Sequence, residues 1–234
     1  MYRYCALTVA VVVALCSVAA AETGFAGRPI TTNAFAETGY TLHRDEFAIG
    51  IGPIEYGITE HIQLSTNLLL WMFQIYNADL KVAFTKSDKR AFACGFAALS
   101  LSLTDENTDA EGDYLALVPY LAWSWRLSHN TLMHAYGRYA YLKAEETDDV
   151  DEPEPNELSS GTGVYLGVEH SRSNRTKFLF DFGYDATFKG VRGGGAVLFG
   201  WSTFRLKLGL SYFAAGDGDG FFFPIVGLLW RFKA

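Results

Sequence analysis

Cysteine is almost absent from this chain, with three in 234 residues. Cys5 and Cys16 fall in the first 21 residues, so Cys94 would stand alone after removal of an export signal. No intramolecular disulfide can then hold the fold, and Cys94 reads as a small buried apolar residue. Histidine numbers five, and no His/Cys spacing suggests zinc. No basic patch with interleaved aromatics is present, which argues against nucleic acid as a partner. There is no G-x-S-x-G element, and glycines 193–195 precede no helical pattern, so no phosphate loop is expected. No later segment has the ~20 uninterrupted apolar residues of a membrane-crossing helix.

Residues 1–21 have the layout of a secretory signal. Arg3 is the only charge, residues 6–14 are apolar, and Ala19, Ala20 and Ala21 offer small side chains before a cut at Glu22. Cys16 suggests acylation, but Leu15 before it suits that poorly. Residues 22–33 read as an irregular periplasmic lead-in.

From residue 34 the dominant signal is alternation. Tyr76, Ala78, Leu80, Val82 and Phe84 alternate with Asn77, Asp79, Lys81 and Ala83. A strand turns successive side chains to opposite faces, so one face is apolar and the other polar. Twelve strands are predicted: 34–42, 46–54, 61–72, 76–86, 91–104, 114–126, 131–143, 160–171, 176–188, 195–202, 204–213 and 221–232. Long polar connections follow the odd-numbered strands and short ones the even. The chain is therefore predicted to be all-β over 34–234: a closed antiparallel transmembrane β-barrel of about twelve strands, with ten or fourteen as alternatives. Short turns belong to the periplasmic side of such barrels, which puts both termini there.

Ile62, Leu64, Leu68, Leu70, Leu115, Leu117, Leu121, Val164, Leu166, Val168, Phe178, Phe180, Phe182, Leu206, Leu208 and Leu210 are expected to face lipid. Trp125, Trp201 and Trp230 fall at periplasmic ends, where an aromatic girdle belongs. A soluble barrel would turn the apolar face inward; the export signal and loop asymmetry favour lipid. Two features resist. Pro119 lies mid-strand, implying a bulge, and Phe92 and Phe96 fall on the inner face if Leu99, Leu101 and Leu103 face out.

The tract 47–70, with YGITEHIQLSTNLLL at its centre, resembles the early hairpins of small bacterial outer-membrane β-barrel proteins, many uncharacterised and some called transporters. The C-terminal strand, ending in Trp230 and Phe232, is similar to the aromatic-terminated signal read by the barrel-assembly machinery, although Lys233 and Ala234 extend past it. The resemblance implies a location in the outer membrane, with its lipid and lipopolysaccharide as surroundings, and not a substrate.

By alternation the lumen set is Asp79, Lys81, Arg138, Glu169, Lys177, Asp181, Asp185, Arg205, Lys207 and Arg231. Ionised groups inside a barrel must be hydrated or paired. Hydrated, they line a narrow porin-like channel for small polar or anionic solutes. Paired, they close the lumen of a structural or adhesion barrel. The acidic stretches 105–113 and 144–159 read as solvated loops, with divalent cations bridging lipopolysaccharide as the alternative. Asp105, Asn107 and Asp109 start a calcium-loop pattern that fails at Ala110 and Ala116. A hydrolase is the third reading, with His43 beside Asp45 in an outer turn as its strongest element, although no catalytic residue is assigned. No cofactor or resident metal is expected.

Overall fold

The structure, a computed structural model, describes residues 28–104, 111–147, 156–187, 189–214 and 220–233. The expected signal at 1–21, most of the acidic stretches and Asp105, Asn107 and Asp109 lie outside these. Twelve strands are described in order: β1 (Glu46–Gly50), β2 (Pro53–Gly57), β3 (Ile62–Asn67), β4 (Ile75–Lys86), β5 (Arg90–Thr104), β6 (Glu111–Ser128), β7 (Thr131–Thr147), β8 (Asn156–Ser173), β9 (Thr176–Asp185), β10 (Gly190–Gly200), β11 (Phe204–Ala214) and β12 (Gly220–Lys233). Each pairs antiparallel with its chain neighbours, and β1 closes on β12 from Glu46↔Lys233 to Gly50↔Leu229, giving a closed barrel. Closure leaves no free sheet edge along the paired length. Among the described residues no helix is long and apolar enough to cross a membrane.

Connections of four to eight residues follow β3, β5, β7, β9 and β11, a two-residue one follows β1, and even strands end in two- to four-residue turns. One end is therefore a loop side. The other, the turn side, holds both the start of β1 and the end of β12.

The polarity of the faces is that of a barrel with an apolar exterior. Leu206, Leu208 and Leu210 lie outside, with Leu208 and Leu210 well exposed, while Arg205, just before them, is buried inside. Phe180, Phe182, Val164 and Leu166 are likewise more than half exposed. A soluble protein rarely exposes so continuous an apolar surface.

The strand total agrees with the sequence expectation, but its first two members do not. Residues 34–42 form no strand. They belong to an irregular segment, 28–45, inside the barrel, so residues 28–33 fill the lumen instead of forming the expected lead-in outside it. The stretch 46–54 is two strands, because Ile51 and Gly52 make a turn; Gly52 adopts φ +104°, a conformation that glycine alone takes without strain. Pro53 cannot donate to the ladder and starts β2. The stretch 61–72 stops at Asn67, whose side chain caps a one-turn helix, α1 (Leu68–Trp71), by accepting from Leu69 N at 3.0 Å. Leu68 and Leu70 are therefore helical rather than strand residues. β1, β2 and β3 have only five, five and six residues, so the wall is low on this sector.

The faces of β5 are the reverse of those expected. Phe96 pairs with outward Leu80, and Leu99 pairs with inward Asn77. Phe92 and Phe96 thus face out, Leu99 and Leu101 face in, and half-buried Cys94 lies on the outer register. The inner face of β5 runs Ala91, Ala93, Gly95, Ala97, which leaves room for another layer. Pro119 makes no bulge: Leu117↔Tyr141 and Tyr120↔Arg138 keep one register across it. It removes ladder pairs between β6 and β7 instead.

Candidate functional site: the plugged lumen

The interior of the barrel is occupied by its own chain. Residues 28–45 come up from the turn side, reverse over 33–36 and descend into β1. The reversal is closed by Asn33 N donating to Ala36 O at 2.8 Å, by Thr38 N donating to Thr31 O at 3.0 Å, and by a Thr32↔Glu37 bridge. Ile30, Asn33, Ala34, Ala36, Thr38, Tyr40 and Leu42 are all buried. Space for this plug comes from small inner residues. A Cβ on Gly39 would lie 2.5 Å from Ala91 O, so only glycine permits that approach. Ala48, Ala83, Ala91, Ala93 and Ala122 line the same half of the wall and are buried.

Each of the ten charges expected in the lumen lies on the inner face, and five of them, Lys81, Glu169, Lys177, Asp181 and Lys207, bond the plug rather than line open space. Asp181 accepts the Phe35 and Ala36 amides at 2.7 and 2.9 Å through one oxygen and Asn33 Nδ2 at 2.6 Å through the other. Lys207 donates to Thr32 O and Asn33 O. Lys81 donates to Thr31 O at 2.9 Å and pairs with Glu37 at 2.6 Å. Lys177 donates to Arg28 O and pairs with Glu169, both at 2.5 Å. Arg231 donates to Glu46 Oε2 at 3.2 Å, and its Nε sits 3.0 Å from Oε1, out of line for a hydrogen bond. Arg205 reaches Trp201 O at 3.2 Å. Asp79 accepts the Tyr120 hydroxyl and Ser65 Oγ, and Asp185 takes Arg138 and the Tyr165 hydroxyl. Buried ions are tolerable only when paired or hydrogen-bonded in this way, although Arg138, Arg205 and Arg231 each keep a buried Nε without a hydrogen bond.

Sequence reasoning missed Glu46, Glu55, Gln63, Asn33, Ser124, Arg192 and the inward tyrosines. Gln63 accepts Leu42 N at 2.9 Å and Glu55 accepts Thr31 Oγ1 at 3.1 Å, fixing the two limbs of the plug. The legible signal was the alanine-lined inner face of β5. Burial pushes the Tyr40 phenol up to about 12, and its hydroxyl donates to Ser87 O.

The aromatic residues expected at the turn side form part of a chain of rings on the outside. Trp201 contacts Phe204 at 5.4 Å and Phe204 contacts Trp230 at 5.1 Å. Phe232, Phe47 and Tyr56 continue it around the seam. Trp125 packs with Trp123 at 5.2 Å on β6.

A nucleophile and a base do meet in the interior. Ser124 Oγ lies 2.8 Å from His134 Nδ1, and His134 Nε2 lies 3.7 Å from Glu169 Oε2. Ser124 also accepts Gly39 N at 2.8 Å, which leaves its hydroxyl hydrogen for the imidazole. All three side chains are essentially fully buried beneath the plug. No substrate atom reaches Ser124 in this arrangement. His43 is not in an outer turn, as expected, but on the turn side, 2.7 Å from Glu60. Among the described residues no three His, Cys, Asp or Glu side chains gather as a metal would need.

Above the plug the lumen opens toward the loop side. One cavity of about 330 Å³ includes Phe35, Glu37, Asp79, Tyr120, Tyr136 and Arg138 in its lining. A second, of about 480 Å³, is lined by Arg138, Tyr165, Asp185, Arg192, Phe213, Phe221 and Phe223. Fold and interior together define a closed twelve-stranded β-barrel with an internal plug and a loop-side vestibule. No protein-family model matches the chain, and no curated protein matches it significantly.

Proposed function

We propose that this is a bacterial outer-membrane barrel, closed at rest by residues 28–45, which offers its vestibule to solutes from the loop side. The porin-like passage expected from the sequence becomes gated passage: small polar solutes cross only when the plug shifts. The observation that carries this reading is the commitment of Asp181, Lys81, Lys177 and Lys207 to plug atoms. Charges with such partners do not line a wet channel. The apolar exterior, the turn-side aromatic rings and the short turns beside both chain ends support a periplasmic turn side. Outward-facing Trp230 and Phe232 support recognition by the assembly machinery.

The plug is held largely by side chains reaching from the wall, not by a continuous strand ladder, so it can leave without breaking the sheet. In planar bilayers the full chain should pass no steady current. Asp181→Ala, which strips three hydrogen bonds from the reversal, should produce discrete openings. Steady ohmic current from the unaltered chain would overturn closure. A folded but silent Asp181→Ala would favour the purely structural barrel, which the internal ion pairing also suits.

A further inference from the structure

Three phenylalanines break the polar-inside pattern at the loop-side mouth. Ser211 is buried on the inner face, and two residues later Phe213 shares that face. Phe221 pairs with Phe213 and Phe223 with Ser211, so both also point inward. Their rings form a cluster: Phe213 and Phe221 are 5.5 Å apart, Phe221 and Phe223 4.3 Å. Phe221 and Phe223 each remain 45% exposed, so this apolar wall faces open space rather than a packed core.

Below it sits Arg192. Its Nε donates to Ser211 Oγ at 3.2 Å, and its guanidinium carbon lies 4.1 Å from the centre of the Phe35 ring, at the tip of the plug. Among the described residues no carboxylate is within ion-pair distance of it. The nearby Asp181 oxygens are occupied by the plug, and Asp185 is held by Arg138 and Tyr165. Arg138 borders the same cavity, and its buried Nε has no hydrogen-bond partner. The cavity therefore combines two guanidiniums, one already engaged carboxylate and an aromatic wall, in a volume of about 480 Å³ that suits a small ligand.

We propose that this cavity binds a small organic monoanion: a carboxylate on an aromatic or short apolar body. The carboxylate meets Arg192, with the Arg138 guanidinium in the cavity wall adding positive charge, and the body lies against Phe213, Phe221 and Phe223. A guanidinium suits a planar carboxylate because its donors form a matching fork. The site does not depend on the plug being a gate.

Calorimetry on the refolded full chain in detergent tests this, with phenylacetate as probe and phenylacetamide and acetate as controls. Phenylacetate should bind saturably, and both controls far more weakly, since one lacks charge and the other lacks the apolar body. Arg192→Gln should weaken phenylacetate by about tenfold to a hundredfold, as loss of a charged hydrogen bond does, while keeping the circular dichroism of the barrel. Equal heats from phenylacetamide would reveal mere micelle partition and overturn the site. So would absence of phenylacetate binding, or undiminished affinity in a folded Arg192→Gln. The comparison of the three probes needs no variant, so it decides the matter even if the substitution prevents refolding. Arginine-dependent binding in a chain that conducts steadily would keep the site and discard closure.

Discussion

Asp181 commits its oxygens to plug atoms, two of them backbone amides, where alternation alone would have matched it to a lumen cation. Residue by residue, periodicity could say which side chains point inward, because a strand has only two faces. It could not say what they touch, since the partners come from a segment with no periodicity of its own. The descending limb of that segment carries a pH-sensitive contact. Glu60 is drawn down from 4.5 to about 2, first by its hydrogen bond from His43 and also by the Arg44 amide and the charge of Lys86. A depressed carboxylate stabilises the docked form fully above its unfolded value and loses that contribution as pH falls through its folded value. Docking of 43–45 onto 58–61 should therefore weaken from about pH 4.5 toward about 2. Hydrogen exchange at Arg44, corrected for intrinsic rates, should show falling protection over that window. Glu60→Gln should flatten the profile, and an unchanged profile in that variant would exclude this carboxylate as the cause. Because both side chains are about half exposed, the effect is small and screened by salt.

At the scale of elements, β4 through β12 were legible because each is long and bounded by polar or glycine-containing turns, although β10 begins at Gly190, five residues before the expected 195, because Gly193, Gly194 and Gly195 show no apolar alternation. β1 and β2 were not. Their turn has only two residues, and the run Gly50-Ile51-Gly52-Pro53 sits inside a sequence that alternates well enough to pass for one strand. The extra strand placed at 34–42 compensated, so the total of twelve came from two opposite errors. β5 shows a different failure. Its leucines and its phenylalanines fall on opposite faces, and apolarity alone cannot choose between them. Bulk can: the face lined by alanine had to be the inner one, because only small residues leave space for a plug. Gly52→Ala tests the turn that divides β1 from β2. A side chain there would hold φ +104° under strain and put Cβ 2.7 Å from Asn67 Oδ1, the cap of α1. Unfolding in denaturant should show a loss of about 1–3 kcal/mol, and an unshifted midpoint would contradict the turn.

For the molecule as a whole, one carboxylate belongs to two structures at once. Glu46 begins β1 at the closing seam, where it takes Arg231 of β12, and it also binds Arg28 Nη2 of the plug at 2.5 Å and His43 N at 2.9 Å. The seam has five residue pairs, against eleven between β11 and β12. Glu46→Ala takes from buried Arg231 the carboxylate it pairs with and should cost about 3–5 kcal/mol. The temperature at which the folded band converts to the unfolded one on gel electrophoresis should fall, and channel openings should appear in the same variant. Unchanged conversion would separate latch from seam. The low sector formed by β1, β2 and β3 has a consequence for the surroundings. Five residues of strand rise about 17 Å, less than the apolar band of about 25 Å that a barrel presents to its bilayer. In the outer-membrane placement proposed above, lipid beside this sector would thin wherever the exposed apolar side chains of α1 and of Met72 and Phe73 do not extend the band. The barrel would then carry a permanent dimple on one flank, and its annulus of lipids would be as asymmetric as its wall.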